Sequence, residues 1–520
     1  MALNHLTGWS FYGRSKELRD VNQILSRGTW FFCSITGRRR IGKTRLIQEA
    51  LARRPERHFY MQVPDSDERG VVESFQEALE DHRVDVDIAH RFRTFSDMAN
   101  AIGQLCRAGF IVIIDEFQYF HRDALAPFTS HLQRQVDQLR DTTVGGLFVL
   151  GSIHTEMSAL LDGRHSPLFN RVTDTIAVGH WDFETLFEMF AAHGISDPRQ
   201  QLFLWTLFEG VPKFYRDCFD QGVLVAEEDH RPDTLRRLFF EGPSPLKDEA
   251  ANWFLAELRG SYESLLRLVA KHGPCPLGVL RAEYARAGSG DERKLSAYLA
   301  ILTQRYEMVA KLQPIFEVQG GRKARYVLRD NFLAAWLKAV GRNVRAARIQ
   351  PLQAPLDRCS ELLMEHEGWT FERAVRQLTV ECSRKGVGDF QLTEMVRGYW
   401  NKTRVGAGVE LDLVAVDGGR QIVRFGSCKR SQTGFRRGGL DKFQAHIDRF
   451  LRTKTGQPLR DWRVERALYC TVFEPEMRRE LAAKAYVCID LNDFKGWLSN
   501  RREGGGRQRD LFAAVEEPSA

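Results

Sequence analysis

Between Thr29 and about Ile176 the chain alternates short apolar runs with longer stretches of helical periodicity. The runs are Trp30–Thr36, Phe59–Val63, Phe110–Ile114 and Gly146–Leu150, with Thr175–Val178 as a weaker fifth. Each is too short for a helix and continuous enough to be covered on both faces, so their alternation predicts a parallel α/β sheet. From Phe183 to about Arg348 helical periodicity dominates, punctuated by Ser244-Pro245 and Gly273-Pro274. Within it Ser261–His272, Leu277–Ala287 and Asp291–Lys311 read as helices, the last from Leu295, Leu299, Leu302, Tyr306 and Val309 at helical spacing. Ile315–Val318 and Arg325–Leu328 flank Gly320-Gly321 and read as a hairpin. Three helices and a hairpin predict a winged helix-turn-helix. After a break near Gln350–Pro355 come a helix around Thr370–Arg384, strands near Glu410–Val416 and Gln421–Phe425, and a helix at Leu440–Leu451. A strand at Arg466–Val472, a helix at Pro475–Ala485 and a strand at Tyr486–Asp490 follow. The tail from Arg501 is Gly-rich and apolar-poor, and reads as disordered.

The first apolar run leads into Gly37-Arg38-Arg39-Arg40-Ile41-Gly42-Lys43-Thr44, and a helical pattern beginning at Arg45 follows. Strand before, helix after and this spacing define a P-loop. Glycines let backbone amides point at phosphate, and the helix N-terminus adds its orphan donors. Lys43 is expected to reach the β/γ-phosphates of ATP and Thr44 to hold magnesium. The third run ends in Asp115-Glu116. Asp115 would support the magnesium through water and Glu116 would polarise the attacking water. Ser152, at the tip of LFVLGS, is placed to sense the γ-phosphate. Arg171, in SPLFNR, is a candidate arginine finger, or else a partner of a surface carboxylate.

The segments FYGRSKELRDV, GRRRIGKTRL, VIIDEFQYF, LFVLGS, SPLFNR and EGVPKFY occur in this order. Together they resemble the archaeal-type ATPases of the AAA+/STAND P-loop group. The resemblance implies that Gly13, Arg14, Glu17 and Leu18 form a linker packed near adenine, with Phe11 and Tyr12 available for stacking. It also makes Gly210-Val211-Pro212 the turn of a small helical lid. A second small polar residue is expected after Ser152, where this chain has Ile153-His154.

In the last region Glu410-Leu411-Asp412 alternates polar and apolar, so Glu410 and Asp412 share a strand face, as do Ser427 and Lys429 on the next strand. Glu372 lies upstream on a helix. This pattern resembles the PD-(D/E)XK nuclease-like domain that ends many such ATPases. The resemblance implies that Asp412 and a second carboxylate bind magnesium while Lys429 orients or deprotonates water. The slot for that second carboxylate holds Ser427, a poor magnesium ligand. Glu410 or Glu372 would have to compensate, or the domain only binds DNA or a partner. The implied organisation is multidomain α/β. It comprises an ATPase core at 1–183, a helical lid at 184–246, a winged helix-turn-helix at 247–348, the nuclease-like domain at 356–500 and a disordered tail at 501–520.

Composition narrows this picture modestly. The chain has 520 residues, formal net charge +7 and nine scattered cysteines, none spaced CxxC, which argues against a disulfide framework or zinc site and for a reducing cytoplasm. No run of membrane-spanning length occurs, and the first residues lack the layout of a secretion signal. Basic residues crowd the last third, in pairs such as Lys402/Arg404, Lys429/Arg430 and Arg436/Arg437. Lys294, Gln304, Arg305, Arg322, Lys323 and Arg325 of the winged segment could meet DNA phosphates, or the segment packs against protein. Two functions follow. One is an ATPase acting on DNA with a nuclease-like domain. The other is a STAND-like switch, assembling as a homo-oligomer, whose rear domains only bind. Gln508–Phe512 resembles the short peptide that docks on bacterial sliding clamps.

Overall fold

The computed structural model describes residues 8–52, 54, 57–82, 92–141, 144–152, 154–227, 230–244, 246–249, 260–288, 292–317, 323–401 and 408–505. The chain divides into two compact units. One comprises residues 11–181 with 211–213, and the other 1–10, 182–210 and 214–520. The candidate clamp peptide Gln508–Phe512, Lys402/Arg404, Arg322, Gly320-Gly321 and Ile153 lie outside the described residues.

The first unit is built on strands β1 (Phe32–Thr36), β2 (His58–Gln62), β3 (Ile111–Asp115), β4 (Gly146–Gly151) and β5 (Asp174–Ala177). They form a parallel sheet in the order β2-β3-β4-β1-β5. Alternate residues feed two cores: Val112 and Ile114 pack on one face, Ile111 and Ile113 on the other. Burial on both faces is why these strands read as continuous apolar runs. In sequence β2 separates β1 from β3. In the sheet it is β4 that lies between them, setting the C-terminal ends of β1, β3 and β4 side by side.

In the second unit a small antiparallel sheet, order β6-β8-β7, joins Cys275–Pro276 (β6), Val309–Leu312 (β7) and Arg325–Leu328 (β8) to helices Ser261–His272, Leu277–Arg286 and Leu295–Gln304. The third helix is shorter than its periodicity predicts, and the hairpin's first strand is Val309–Leu312 rather than Ile315–Val318. Glu307, at φ 51, turns the chain out of the helix, so Val309 pairs with Leu328. Pro314 cannot donate to a ladder, which keeps the next segment out of the strand.

The last sheet, order β13-β12-β11-β10-β9, contains Arg397–Trp400 (β9), Glu410–Asp417 (β10), Ile422–Lys429 (β11), Arg463–Cys470 (β12) and Val487–Asp490 (β13). β9 has no counterpart in the sequence reading. Helix Arg437–Leu451 supplies Leu440, Phe443, Ile447 and Phe450 to its core. The expected break near Gln350–Pro355 is instead the start of a 33-residue helix, Gln353–Lys385, with Pro355 in its first turn, where proline is tolerated. Gly386, left-handed at φ 69, ends it. The final helix, Leu491–Gly505, runs five residues into the stretch expected to be disordered.

The long helix also anchors the helices after Asp182. Glu381 accepts hydrogen bonds from the backbone N–H groups of Phe183 (2.8 Å) and Glu184 (3.0 Å), capping helix Phe183–Ala192. Thr370 and Thr206 share a buried hydroxyl hydrogen bond of 2.8 Å. The hairpin segment packs on the last sheet in turn. Ile315 enters that sheet's core, its N–H donates to the Gly398 carbonyl (3.0 Å), and the Trp400 indole N–H donates to the Lys323 carbonyl (2.7 Å). Among the described residues no helix is long and apolar enough to cross a membrane.

Candidate functional sites

The P-loop spans the gap between β1 and helix Lys43–Leu51. Gly37 could not be another residue, because a Cβ there would lie 2.4 Å from the Val178 carbonyl oxygen. Gly42 sits at φ 92, a left-handed value that glycine adopts without strain. Lys43 is buried, and its Nζ donates to the carbonyls of Gly37 (3.0 Å) and Arg38 (3.3 Å), holding the loop closed around its ammonium. Burial depresses its pKa, against the pull of Asp115 and Glu116. The Thr44 hydroxyl donates to Asp115 Oδ2 at 2.5 Å, so the hydroxyl and carboxylate expected to hold magnesium already meet. This all-oxygen pair suits a hard cation. Arg45 points elsewhere and pairs with Glu49 (3.2 Å) on the helix surface.

Glu116 has φ 55, an uncommon conformation for a non-glycine residue, directly after the buried strand end. Its carboxylate accepts from the Gln118 amide and from the Ser152 hydroxyl (3.2 Å). Gln118 also donates to Ser152 Oγ (3.2 Å) and accepts from the Ser152 N–H (3.2 Å). The expected catalytic base and γ-phosphate sensor are therefore bound together by a residue the sequence reading passed over. Tyr60 was missed too; its hydroxyl donates to Asp115 Oδ2 at 3.1 Å. Alternation along β2 could have flagged it, since Phe59 and Met61 face the core.

The linker residues divide. Gly13 and Arg14 are both left-handed, at φ 63 and 61. Arg14 is buried and donates to the Ile41 carbonyl (2.9 Å), bracing the P-loop. Tyr12 is buried edge-on against Trp181, with ring centroids 6.0 Å apart. Arg171 forms a two-pronged pair with Asp137 (2.7 and 3.0 Å), the alternative its sequence context left open.

A second site lies in the other unit. A cleft of about 440 Å³ is lined by Glu372 of the long helix, Glu410 and Asp412 of β10, and Ser427 and Lys429 of β11. A register irregularity in the β10–β9 pairing between Leu411 and Val414 lets both of those residues reach one core while Asp412 faces the cleft. Asp412 Oδ2 accepts from the Cys428 N–H (2.9 Å), Ser427 Oγ (3.4 Å) and Lys429 Nζ (3.4 Å). Arg376 donates to the Asp412 carbonyl (2.7 Å) and lies 3.9 Å from Glu372. Burial first, then the neighbouring Asp412, push the Glu372 carboxyl up to about 8. Burial pulls the Lys429 ammonium down, but Asp412 and Glu372 more than reverse it, leaving its pKa above the ordinary value.

The cleft also takes residues from the β6–β8 module: Pro274, Leu312 and Arg325. Arg325 pairs with Glu410 at 2.8 Å, and Lys323 pairs with Glu317, so both are engaged within this unit. His446 lines the same cleft and accepts the Glu410 N–H on Nδ1 (2.9 Å). A separate trio, Asp182, Glu184 and Glu381, converges closely enough to hold a cation. Lys385 Nζ fills that role, at 2.6–2.7 Å from each.

Residues 11–210 match the model of an ATPase domain found predominantly in Archaea. Residues 336–438, which carry Glu372, Asp412 and Lys429, match a model of archaeal and bacterial proteins of unknown function. An uncharacterized protein of Methanocaldococcus jannaschii is 24% identical over 421 residues, spanning 78% of this chain and 84% of that protein. Among solved structures, a Walker-type ATPase of Pyrococcus abyssi is similar at TM-score 0.46 and 17% identity, covering 63% of this chain and 96% of that one. The ORC2 protein of Aeropyrum pernix, solved with ADPNP and ADP, is similar at TM-score 0.44 and 15% identity, covering 66% and 97%. With the P-loop, Asp115 and Glu116 in place inside the matched domain, the chain is an ATPase.

Proposed function

We propose that this chain is a magnesium-dependent ATPase that acts on DNA. In this reading the β6–β8 module is a winged helix-turn-helix, and the last sheet is a PD-(D/E)XK-like domain that hydrolyses phosphodiester bonds. The observation that carries the nuclease reading is Glu372 lining the same cleft as Asp412 and Lys429. It supplies the carboxylate missing at Ser427, from a helix rather than from the strand. Burial and a neighbouring carboxylate both raise the Glu372 carboxyl, and a divalent cation would relieve both. Glu372 and Asp412 would hold magnesium, an all-oxygen set that suits it. Bound there, magnesium would acidify water and offset charge developing on the phosphate. Lys429, held by Asp412, places an ammonium beside the same phosphate. Arg376 steadies the Asp412 backbone, so the carboxylate does not depend on its strand alone.

At the first site Lys43 contacts the β/γ-phosphates, Thr44 and Asp115 hold magnesium, and Glu116 orients water once Ser152 and Gln118 release it. Full-length protein incubated with single-stranded, duplex and branched DNA, with magnesium or manganese and with or without ATP, tests the proposal against Asp412→Ala. Metal-dependent cleavage lost in Asp412→Ala supports it. Absence of cleavage on every substrate favours the second reading, a STAND-like switch whose cleft only binds. That reading draws on Ser427 and on the engagement of Glu410 by Arg325.

A further inference from the structure

The cleft carries aromatic rings that metal-dependent hydrolysis does not require. Trp369, on the long helix three residues before Glu372, and Trp400, ending β9, both line it and are half-buried. Neither ring belongs to the apolar core under the last sheet. Both are held in fixed orientations. The Trp400 indole N–H is bound by the Lys323 carbonyl at 2.7 Å, and the Arg325 guanidinium lies 4.7 Å over its ring. Trp369 stacks on His366 at 6.1 Å with an interplanar angle of 14°. His366 is deeply buried and held neutral, its pKa pushed down to about 3 by burial and by Lys338 and Arg373, so it backs the ring as an uncharged plane. Arg325, Arg376, Lys429 and Lys442 line the same cleft, so cations stand with the rings in one opening.

We infer that this cleft receives unpaired DNA, with bases stacking on Trp369 and Trp400 while Arg325 and Lys442 meet the phosphates; the inference rests on the DNA-acting reading of the same site. Pre-oriented aromatic planes beside cations are the chemistry by which proteins hold single strands, since each base offers a ring face. A duplex offers none, because its bases are already stacked on one another, unless one is extruded. Size agrees: about 440 Å³ lies at the low end of the roughly 300–1,000 Å³ of small-ligand clefts, room for nucleotide units but not for a double helix. Because Arg325 and the Lys323 carbonyl come from the β6–β8 module, that module completes the binding surface.

Full-length protein in EDTA, where cleavage cannot proceed, is titrated into a single strand containing 2-aminopurine and into the blunt duplex of the same sequence. Single-strand affinity should exceed duplex affinity by about tenfold or more, with 2-aminopurine emission quenched on binding. Trp369→Leu and Trp400→Leu should each weaken single-strand binding by roughly tenfold, whereas Trp369→Phe and Trp400→Phe, which keep a ring, should largely retain it. Equal affinity for strand and duplex, or Leu variants that bind like the parent, would overturn the inference even if cleavage were observed. Ring-dependent single-strand binding without cleavage under any metal would uphold it while removing the nuclease reading. Failure to bind either form would end both.

Discussion

In the P-loop site each charged group has partners of its own. Lys43 donates to two backbone carbonyls, Asp115 accepts from Thr44 and Tyr60, and Glu116 accepts from Gln118 and Ser152. In the cleft of the second unit Asp412 also accepts from the Cys428 N–H, but its charge is shared with neighbouring charged groups. Lys429 touches Asp412, and burial first, with Asp412 second, favours the protonated form of Glu372. The first site is thus organised by the protein's own groups. The second favours a proton on Glu372, whose place a divalent cation would take in the proposed function. Preorganisation of the first kind speeds chemistry because the dipoles need no rearrangement. Balance of the second kind ties the site to pH and, in the proposed function, to metal.

The largest effects should come from removing the charge each site depends on. Lys43→Ala should weaken ATP binding by roughly a hundredfold in calorimetric titration, since a charged phosphate contact is lost. Glu116→Gln should keep ATP affinity while lowering turnover by about 10²–10³. Unchanged nucleotide affinity in Lys43→Ala would break the P-loop side of the comparison.

On the other side, Asp412→Ala and Glu372→Gln should each reduce DNA cleavage by at least about 10², with ATP hydrolysis unchanged. If Glu372→Gln cleaves as well as the parent, Glu372 is not the substitute for the missing strand carboxylate.

A smaller effect should appear in stability. An unfolded Glu372 ionises near its ordinary value of 4.5, but the folded residue holds its proton to about 8. Between those values the folded state binds the extra proton, so metal-free stability should fall as pH rises through that window and level off above it. Scanning calorimetry in EDTA should show a drop of a few degrees that magnesium reverses and Glu372→Gln flattens. Parallel pH profiles for parent and variant would remove the proton-balanced half of the comparison.

The smallest effect should belong to Gln118, which touches Glu116 without reaching phosphate itself. Gln118→Ala should lower kcat by roughly tenfold with little change in KM, and Gln118→Asn should recover part of it. A change confined to KM would show that Gln118 does not position the base.

The ATP site was legible because its parts are local. The loop, its glycines and the two acids at a strand end are contiguous in sequence, and the strand–turn–helix geometry follows from spacing alone. Gln118 escaped because a glutamine after an acidic pair carries no periodic signal, and Tyr60 because its place in the β2 alternation says which face it is on but not that Asp115 is its partner. The cleft shows the opposite case. Asp412, Glu410, Ser427 and Lys429 could be paired from strand alternation, and Glu372 was named only as a possible compensator. That Glu372 reaches the cleft is a property of a 33-residue helix whose start looked like a linker. For the β6–β8 residues the sequence left two readings open, contact with DNA phosphates or packing against protein. The structure draws Lys323 and Arg325 onto the last sheet through the burial of Ile315 and the bond to Trp400.

By itself the sequence determined the parallel sheet and the P-loop, and it put Lys43 and Thr44 at the end of that loop and Asp115 and Glu116 at a strand end, where the proposed roles need them, because periodicity and short-range spacing encode both. Only the tertiary structure decided the company those residues keep. It set Ser152 and Gln118 on Glu116, turned Arg171 to Asp137, and built one cleft from the long helix, two strands and the β6–β8 module. The physical reason is that burial and charge balance act between segments far apart in the chain. A carboxyl's proton, a tryptophan's partner and an arginine's direction follow from what is packed beside them, which no local pattern records.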